Sequence, residues 1–415
     1  MKKILAILLI AFALLSIVAC EKNDVADTPD TEESTDSRTQ EESTDSMPQE
    51  EDTDPVSPPE NNDDDDKDKS VTVALNKNTE GIKHLGVRTL LSDTQINCDH
   101  SGSGIEFVLN NEASSLTIDA VSSGPCRFKV FVNGELHRND NDFDEEFYEI
   151  FGESVIKLNN LPTGKITVRI VKLTEQALAT AELTKMTFTG TLYKEAPESK
   201  ALYIEFIGGS EAVGSELADG VDYAAQDVTK AYSYLLAEKM DADYSITCIK
   251  NLMASRNSSD AIAQYELSSP KRDSEAKHDF ARKADVVVID LGAMDAADTS
   301  ITSEAFSEKY VELLRTIRQK NGETCKIVCL YDSSMGEFET VIQNACRNEM
   351  GGQTEGFYLC KRNAGSTDNS VTFINSLKNI VEAAISGILT EKELQVGENG
   401  EGLKVDIKND FVTIS

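Results

Sequence analysis

Tyr203-Ile204-Glu205-Phe206-Ile207-Gly208-Gly209-Ser210-Glu211-Ala212-Val213-Gly214 is the stretch of sequence on which the interpretation of the chain depends. Its first half alternates β-branched and aromatic residues with other types, which predicts a β-strand. The strand ends at two glycines, and a serine and a polar loop follow. An α/β sheet holds a nucleophile in this way, at the carboxyl end of a strand where ligands bind. The alternative is a glycine turn after a buried strand, with an incidental serine.

Residues 200–390 alternate strands with helices, which predicts a doubly wound α/β domain with a parallel sheet. The run 284–291 is nearly continuous in β-branched residues, as expected for a strand buried on both faces. The tail, residues 391–415, contains two short alternating runs that predict a terminal hairpin. The other predicted strands are 244–249, 326–331 and 357–360, and the predicted helices are 227–240, 306–319, 338–347 and 371–388.

Residues 71–195 follow a different pattern, in which short runs of alternating apolar and polar residues are separated by turn signals. This pattern predicts an antiparallel β-sandwich of the jelly-roll type. Asn133-Gly134, between Val132 and Glu135, is a strong signal for a two-residue hairpin. Further turns between strands are predicted at Asn110-Asn111 and at Ser123-Gly124-Pro125.

Residues 1–20 form a targeting segment and are not expected to be part of a fold. Met1-Lys2-Lys3 is basic, and residues 4–18 are almost wholly apolar but too few for a comfortable membrane span. The segment ends in Ile17-Val18-Ala19-Cys20, which resembles the lipobox of bacterial lipoproteins. That resemblance implies cleavage before Cys20, a lipid on Cys20, and a location at the cell surface or the extracytoplasmic face of the membrane. The alternative is an ordinary secretory signal with a chance cysteine.

Residues 21–70 are predicted to be an acidic, disordered linker. They hold 20 Asp and Glu against 4 Lys and Arg, which accounts for about half of the formal net charge of −33. Large apolar residues are almost absent, so the segment cannot bury enough surface to offset its chain entropy. The acidity argues against nucleic acid as a partner, because nucleic-acid binding needs a basic surface.

The cysteines do not predict a metal site. None of the seven that follow Cys20 forms a Cys-x-x-Cys pair, and the chain has only four histidines, so neither a metal nor a cofactor is expected. Cys98 and Cys126 could form a disulfide. Cys325 and Cys329 lie on one face of a predicted strand and are expected to be buried thiols.

The order of leader, β domain and α/β domain opening on strand, glycine and serine resembles carbohydrate esterase family 2, over residues 86–388. Members of that family deacetylate plant polysaccharides and belong to the SGNH (GDSL-like) hydrolases. In the β domain the resemblance lies in Gly102-Ser103-Gly104-Ile105-Glu106-Phe107, Val130-Phe131-Val132-Asn133-Gly134-Glu135 and Lys172-Leu173-Thr174-Glu175. In the α/β domain it lies in the opening stretch, Thr229-Lys230-Ala231-Tyr232, Ala242-Asp243-Tyr244-Ser245 and Val287-Val288-Ile289-Asp290-Leu291-Gly292.

The resemblance also assigns catalytic positions, and this sequence departs from the family at most of them. The family's Gly-Asp-Ser is Gly208-Gly209-Ser210 here, so only the nucleophile position keeps its serine. The oxyanion positions are those of Ser210, Asn251 and Met294, where the family places a glycine at the second and an asparagine at the third. Asp368 stands where the family has its catalytic histidine.

These departures predict a large loss of catalysis. A serine hydroxyl is a poor nucleophile unless a base takes its proton, and a solvated carboxylate is a weaker base than an imidazole. The loss of one oxyanion donor typically costs roughly 3–4 kcal/mol of transition-state stabilisation. His278 is the only histidine of the α/β domain. It precedes the strand at 286–291 and is therefore expected near the amino end of the sheet, away from Ser210.

The sequence thus predicts a surface-anchored relative of SGNH carbohydrate esterases that has little or no hydrolase activity and binds polysaccharide, such as an acetylated plant cell-wall glycan. The chain has no tryptophan, so the candidates for stacking on sugars are Tyr223, Tyr232 and Tyr331. Two alternatives stay open. One is an active polysaccharide deacetylase that uses Ser210, and the other is a structural or partner-binding surface lipoprotein.

Overall fold

The computed structural model describes residues 70–139, 146–220, 222–255, 261–362 and 371–387, together with two strands at 405–408 and 411–414. The targeting segment with Cys20, the acidic linker and Asp368 lie outside the described residues. No helix in the described ranges is long and apolar enough to cross a membrane.

The first part of the described chain is an antiparallel β structure. Alternate residues along its strands, such as Ile105, Phe107 and Leu109, are completely buried and form one apolar core. The predicted antiparallel pattern is therefore observed. The strands are β1 (Ser70–Ala74), β2 (Ile82–Leu85), β3 (Ile96–Cys98), β4 (Gly104–Val132), β5 (Glu135–His137), β6 (Tyr148–Leu158), β7 (Gly164–Lys172) and β8 (Ala181–Leu192).

The sequence prediction is wrong at strand β4. Turns at Asn110-Asn111 and at Ser123-Gly124-Pro125 were predicted to separate three strands, but residues 104–132 form one continuous strand. The signals at Asn110-Asn111 and Ser123-Gly124-Pro125 do not reverse the chain. The pairing register shifts there instead, and β4 continues with a bend at each place. The bends allow β4 to pair with β2, β5, β6, β7 and β8. The predicted hairpin at Asn133-Gly134 is confirmed, with Val132 opposite Glu135.

The second part is an α/β structure. Its strands are β9 (Leu202–Gly208), β10 (Ala242–Cys248), β11 (Leu267–Ser269), β12 (Asp273–Lys277), β13 (Val286–Asp290), β14 (Lys326–Tyr331), β15 (Phe357–Lys361), β16 (Val405–Lys408) and β17 (Phe411–Ile414). Its helices are α1 (Ser210–Val213), α2 (Tyr232–Lys239), α3 (Ala261–Glu266), α4 (Ala293–Ala297), α5 (Ser303–Asn321), α6 (Glu337–Asn344) and α7 (Val371–Ser386). The terminal hairpin is confirmed, since β16 pairs antiparallel with β17.

Five strands form a parallel sheet in the order β10-β9-β13-β14-β15. In chain order this is the doubly wound arrangement 2-1-3-4-5. One apolar core covers each face, with α2 and α7 on one side and α5 and α6 on the other. The parallel sheet predicted for residues 200–390 is therefore confirmed.

Two details differ from the sequence prediction. The helix expected at 227–240 begins only at Tyr232, because Asp227 accepts a hydrogen bond from the Thr229 N–H at 3.1 Å and caps a separate 3₁₀ turn. All seven cysteines of the described residues are buried free thiols, so Cys98 and Cys126 are not joined as a disulfide. Cys325 and Cys329 lie in the same core, as expected.

A buried ion pair joins the β structure to the sheet. Arg88, in the loop after β2, places its guanidinium 3.6 Å from the carboxylate of Glu205 in the middle of β9, and both side chains are 1% exposed. The hydroxyls of Tyr203 and Tyr265 each donate to Glu205 at 2.8 Å. The Arg88 N–H donates to Ser245 Oγ at 3.1 Å. The carboxylate is thus neutralised and hydrogen-bonded where no water reaches it.

We expect Arg88→Met to lower the free energy of unfolding by about 3–5 kcal/mol, because Glu205 would be left as an unpaired buried charge. Lys194→Met is the matched control, since its ion pair with Glu80 joins two exposed side chains. The control should change stability by less than about 0.5 kcal/mol. Urea titrations of both variants measure the difference, and equal losses would contradict the role given to the buried pair.

Candidate functional site

The candidate site lies where the strand order reverses, between β9 and β13. In a doubly wound sheet, loops leave these two strands in opposite directions, and the crevice at their carboxyl ends takes the ligand. Gly208, the last residue of β9, pairs with Asp290, the last residue of β13. The sequence-predicted Ser210 follows β9 directly, so it lies at this switch point.

Close packing favours a glycine at position 208. A Cβ atom there would lie 3.1 Å from Asp290 Cβ and 3.2 Å from Ala212 Cβ, whereas one at Gly209 would meet nothing within 4 Å. Ser210 begins helix α1 and is half-buried. Its hydroxyl makes no hydrogen bond with the residues that the structure describes.

The three predicted oxyanion positions follow three adjacent strands. Asn251 comes after β10, Ser210 after β9 and Met294 after β13, so they share the carboxyl edge of the sheet. Asn251 has φ +62°, a left-handed conformation that favours glycine and that Asn tolerates better than most residues. Met294 is half-buried and has no N–H or O–H to donate from its side chain.

Asp295 preserves the shape of this edge. Its carboxylate is completely buried and accepts hydrogen bonds from Ala254 N at 3.1 Å and from Ser255 N at 2.9 Å. The Ser255 hydroxyl donates to it at 2.5 Å. The loop after β10, which carries Asn251, is therefore fixed to the start of helix α4.

Two of the four histidines have structural partners away from the switch point. The Nε2–H of His137 donates to the Asn159 carbonyl at 2.7 Å, so Nδ1 accepts from the Tyr148 hydroxyl at 2.7 Å. The Nε2–H of His100 donates to the Ser268 carbonyl at 2.8 Å. Burial lowers the pKa of His100 to about 4, so it is neutral at neutral pH.

The other two histidines line a pocket of about 640 Å³ at the opposite edge of the sheet. His84 and His278 share that pocket with Asp243, near the start of β10, and with Arg282, which precedes β13. Burial, reinforced by the charge of Arg88, lowers the pKa of His278 to about 3. The expectation that His278 lies at the amino end of the sheet is confirmed. This pocket lies at the opposite edge of the sheet from the switch point.

An ionic cluster lies beneath the turn that carries Ser210. Arg362, the residue after β15, donates from its two terminal nitrogens to Asp290 at 2.8 Å and to Asp332 at 3.2 Å, and all three side chains are less than 10% exposed. The Tyr232 hydroxyl donates to the same Asp290 oxygen at 3.1 Å. These four residues are called the Arg362 cluster below.

Burial sets the electrostatics of the Arg362 cluster. It raises the pKa of Asp290, although Arg362 acts in the opposite direction, and the nearby charge of Glu211 raises it further. Asp290 Oδ2 already accepts from both Arg362 and Tyr232, which leaves this oxygen poorly placed to take a proton from Ser210. One guanidinium is thus shared by two buried carboxylates beneath the turn that carries Ser210.

A cleft of about 410 Å³ lies among the loops that follow β7, α1 and β10, and Ser210 is not one of its lining residues. Glu175, from the loop after β7, accepts a hydrogen bond from the Lys250 N–H, and its own N–H donates to Gln226 Oε1 at 2.8 Å. Burial raises the pKa of Glu175. The cleft is lined by Glu175, Leu178, Ser215, Glu216, Gly220, Asp222, Ala225, Gln226 and Lys250.

Of the three tyrosines predicted from the sequence to stack on sugars, two are buried and one is half-buried. Tyr232 and Tyr331 are only 1% and 2% exposed, so neither can stack on a sugar and both predictions are wrong. Tyr223 is half-buried, adjoins the residues of the cleft, and has the Arg127 guanidinium 5.7 Å from its ring centre. Sequence periodicity placed Tyr232 in a predicted helix and Tyr331 in a predicted strand, but it did not show whether their rings face the core or the solvent.

Sequence reasoning missed Asp290, Asp332 and Arg362. Each residue stands at or just after the end of an apolar strand. This position could have identified them from the sequence, because a charged residue there lies at the carboxyl edge of the sheet. The role of Asp368 stays a prediction, since the residue lies outside the described ones. Among the described residues, no cluster of His, Cys, Asp and Glu is arranged to hold a metal ion.

The fold has clear relatives among solved structures. A family two carbohydrate esterase from Clostridium thermocellum in complex with cellohexaose has a TM-score of 0.65 and 19% identity, covering 74% of this chain and 100% of that one. An acetyl xylan esterase from the rumen bacterium Butyrivibrio proteoclasticus has a TM-score of 0.60 and 15% identity, covering 71% and 90%.

A third carbohydrate esterase, whose active site is described as having divergent catalytic and non-catalytic binding functions, has a TM-score of 0.57 and 17% identity, covering 76% and 100%. The chain therefore has the fold of the family 2 carbohydrate esterases, as the sequence resemblance implied. No protein-family model and no curated protein matches the sequence.

We expect Gly208→Ala to lower the free energy of unfolding by roughly 1–3 kcal/mol, because the added methyl group would overpack against Asp290. Gly209→Ala is the matched control, since its methyl group would enter open space. Chemical denaturation of the two variants checks the prediction, and it is wrong if Gly209→Ala is the more damaging change.

We expect Arg362→Met to be more destabilising at about pH 7 than at about pH 4.5. Without the guanidinium, the pKa of buried Asp290 rises further above its value in the unfolded chain. The folded state then binds a proton that the unfolded state does not hold, so stability falls as the pH rises through this range. Lys361→Met, which removes a half-exposed partner of Glu339, is the control. A penalty that does not depend on pH would contradict the assignment.

Proposed function

We propose that this protein binds polysaccharide at the carboxyl edge of its α/β sheet and has little or no ester hydrolase activity. The observation that carries this proposal is the placement of the histidines. All four are described, and each is held at the amino edge of the sheet or in the β structure. Ser210 consequently has no imidazole to take its proton.

The other residues near Ser210 support the same proposal. Deprotonating a serine hydroxyl at neutral pH requires a base with a pKa near the working pH. Asp290 is engaged by Arg362 and Tyr232, and Met294 cannot donate to an oxyanion. The loop shapes are nevertheless kept by Asp295 and by the left-handed Asn251. The edge therefore retains a ligand-shaped surface without the groups that drive hydrolysis.

The cleft lined by Glu175 and Lys250 offers the chemistry that a neutral sugar needs. Gln226, Glu175 and Lys250 bring donors and acceptors to its walls. Tyr223, which follows the lining residue Asp222 in the chain, is the candidate aromatic platform. Sugar C–H faces pack on aromatic rings, and sugar hydroxyls both donate and accept hydrogen bonds. The similar Clostridium structure was obtained with cellohexaose, and another similar esterase has non-catalytic binding functions, which supports this proposal.

Location is a further part of the proposal. Cys20 would carry a lipid, residues 21–70 would act as an acidic spacer, and the antiparallel β structure would be a jelly roll that stands next to the glycan-binding domain. An acetylated plant cell-wall glycan is the favoured ligand class, by analogy with the substrates implied by the resemblance.

Binding is tested with the protein lacking residues 1–20 and with cellohexaose and acetylated xylan as ligands. We expect saturable binding that Tyr223→Ala weakens about three- to tenfold, the loss of one stacking contact. Tyr193→Ala is the matched control, because Tyr193 is 36% exposed and follows β8, whereas Tyr223 adjoins the lining residue Asp222. Calorimetric titration measures both, and the proposal fails if neither ligand binds.

Hydrolysis is tested on the same protein with an aryl acetate. We expect release of the aryl alcohol at the uncatalysed rate, with no difference between the unchanged protein and Ser210→Ala. Turnover that disappears in Ser210→Ala would instead establish the active deacetylase.

A further inference from the structure

A second groove, of about 560 Å³, runs between the β structure and helix α2. It shares no lining residue with the cleft lined by Glu175 and Lys250. We call it the lateral groove. The β structure lines it with residues that include Phe131, Gly134 and Arg169, and the helix side lines it with residues that include Lys230, Leu235 and Glu238.

Strand alternation builds one wall of the lateral groove. In β4 and β7 the residues Val130, Val168 and Ile170 point into the apolar core. Their neighbours Phe131 and Arg169 therefore point away from it, towards α2. Helix α2 forms the other wall, and the hairpin that contains Gly134 closes one end.

Carboxylates slightly outnumber cations in and around the lateral groove. Three cationic and three anionic side chains line it, and the buried Asp227 behind them contacts Lys129 at 2.7 Å and Lys230 at 3.5 Å. Arg169 contacts Glu106 at 3.2 Å and Glu238 at 2.8 Å, and Lys129 contacts Glu146 at 3.4 Å. An anionic ligand would be repelled by the extra carboxylate, whereas a neutral polyol would not.

The paired charges are still accessible at the mouth of the groove. Glu238 is 42% exposed and Lys230 is 49% exposed, so each can take further hydrogen bonds. Two neighbouring sugar hydroxyls can bind such a pair, because one can donate to the carboxylate of Glu238 while the other accepts from the ammonium group of Lys230.

An apolar strip lies among the charged residues. Phe131, Leu136 and Leu235 are half-buried and line the groove together. The C–H face of a pyranose ring needs such a surface, while its edge needs the charged groups. The volume also falls within the range of roughly 300–1,000 Å³ that small-ligand pockets occupy.

We propose that the lateral groove binds a neutral oligosaccharide and is a second glycan site, separate from the cleft lined by Glu175 and Lys250. The β structure would then contribute directly to polysaccharide binding. Two sites on one chain would engage a single polymer with higher avidity than either site alone.

Calorimetric titration of the protein lacking residues 1–20 tests this, with cellohexaose as the neutral probe and a galacturonic acid hexamer as its anionic counterpart. We expect two sites for cellohexaose and at least tenfold weaker binding of the anionic hexamer. Phe131→Ala, which removes the apolar platform, and Lys230→Ala, which removes a donor at the mouth, should each weaken one site at least tenfold. Phe151→Ala is the matched control, because Phe151 is 71% exposed on β6, outside the groove.

The variants separate the two proposals. Loss confined to Phe131→Ala and Lys230→Ala supports the lateral groove, provided that their thermal unfolding matches that of the unchanged protein. Affinity lost only in Tyr223→Ala would overturn the groove and leave the cleft standing. A single site unaffected by both groove variants, the absence of any binding, or equal binding of the anionic hexamer would also overturn the proposal.

Discussion

The parallel pairing of β9 with β13, which sets Gly208 against Asp290, is the constraint on which the rest of the site depends. It leaves little room for a side chain at position 208, and the chain turns there on glycine and delivers Ser210 to the carboxyl edge. It also buries a carboxylate at the centre of the sheet. A buried carboxylate is costly unless it is paired, and Arg362 supplies the cation from the end of β15, the fifth strand of the sheet. The ionic floor of the site is therefore a consequence of how the strands pair.

The residues that shape the carboxyl edge of the sheet have structural roles that do not depend on catalysis. Asp295 holds the loop after β10 through three hydrogen bonds, and Asn251 keeps the left-handed turn that glycine would favour. Neither role needs a reaction, because each satisfies buried polar groups or backbone geometry that the fold requires in any case. Hydrolysis, in contrast, needs a base and an oxyanion donor placed against Ser210. The shape of this edge is therefore set by the fold, independently of any reaction.

The β structure packs against the α/β part through buried polar contacts. Its residues reach into the second part through buried polar contacts, of which Lys129 with Asp227 at 2.7 Å and Asp99 with Arg272 at 2.7 Å are examples. Glu175 fixes the backbone of Lys250 beside the cleft. Because these contacts exclude water and pair opposite charges, the two parts are held in one geometry. Both the cleft and the lateral groove are lined by residues of the two parts, so their shapes depend on this interlocking.

Periodicity and turn chemistry by themselves determined the parallel sheet, the antiparallel β structure, the hairpin at Asn133-Gly134 and the position of Ser210 at the end of a strand. These features follow from local patterns, in which burial repeats every second residue and glycine marks a break. The tertiary structure alone decided the rest. Asp290 and Arg362 are 72 residues apart and meet only because β14 and β15 extend the sheet beyond β13. Strand β4 bends without reversing, Tyr232 and Tyr331 turn inward, and the histidines lie away from Ser210. The physical reason is that local sequence fixes which residues are buried within an element, whereas packing between elements fixes which distant side chains share a site.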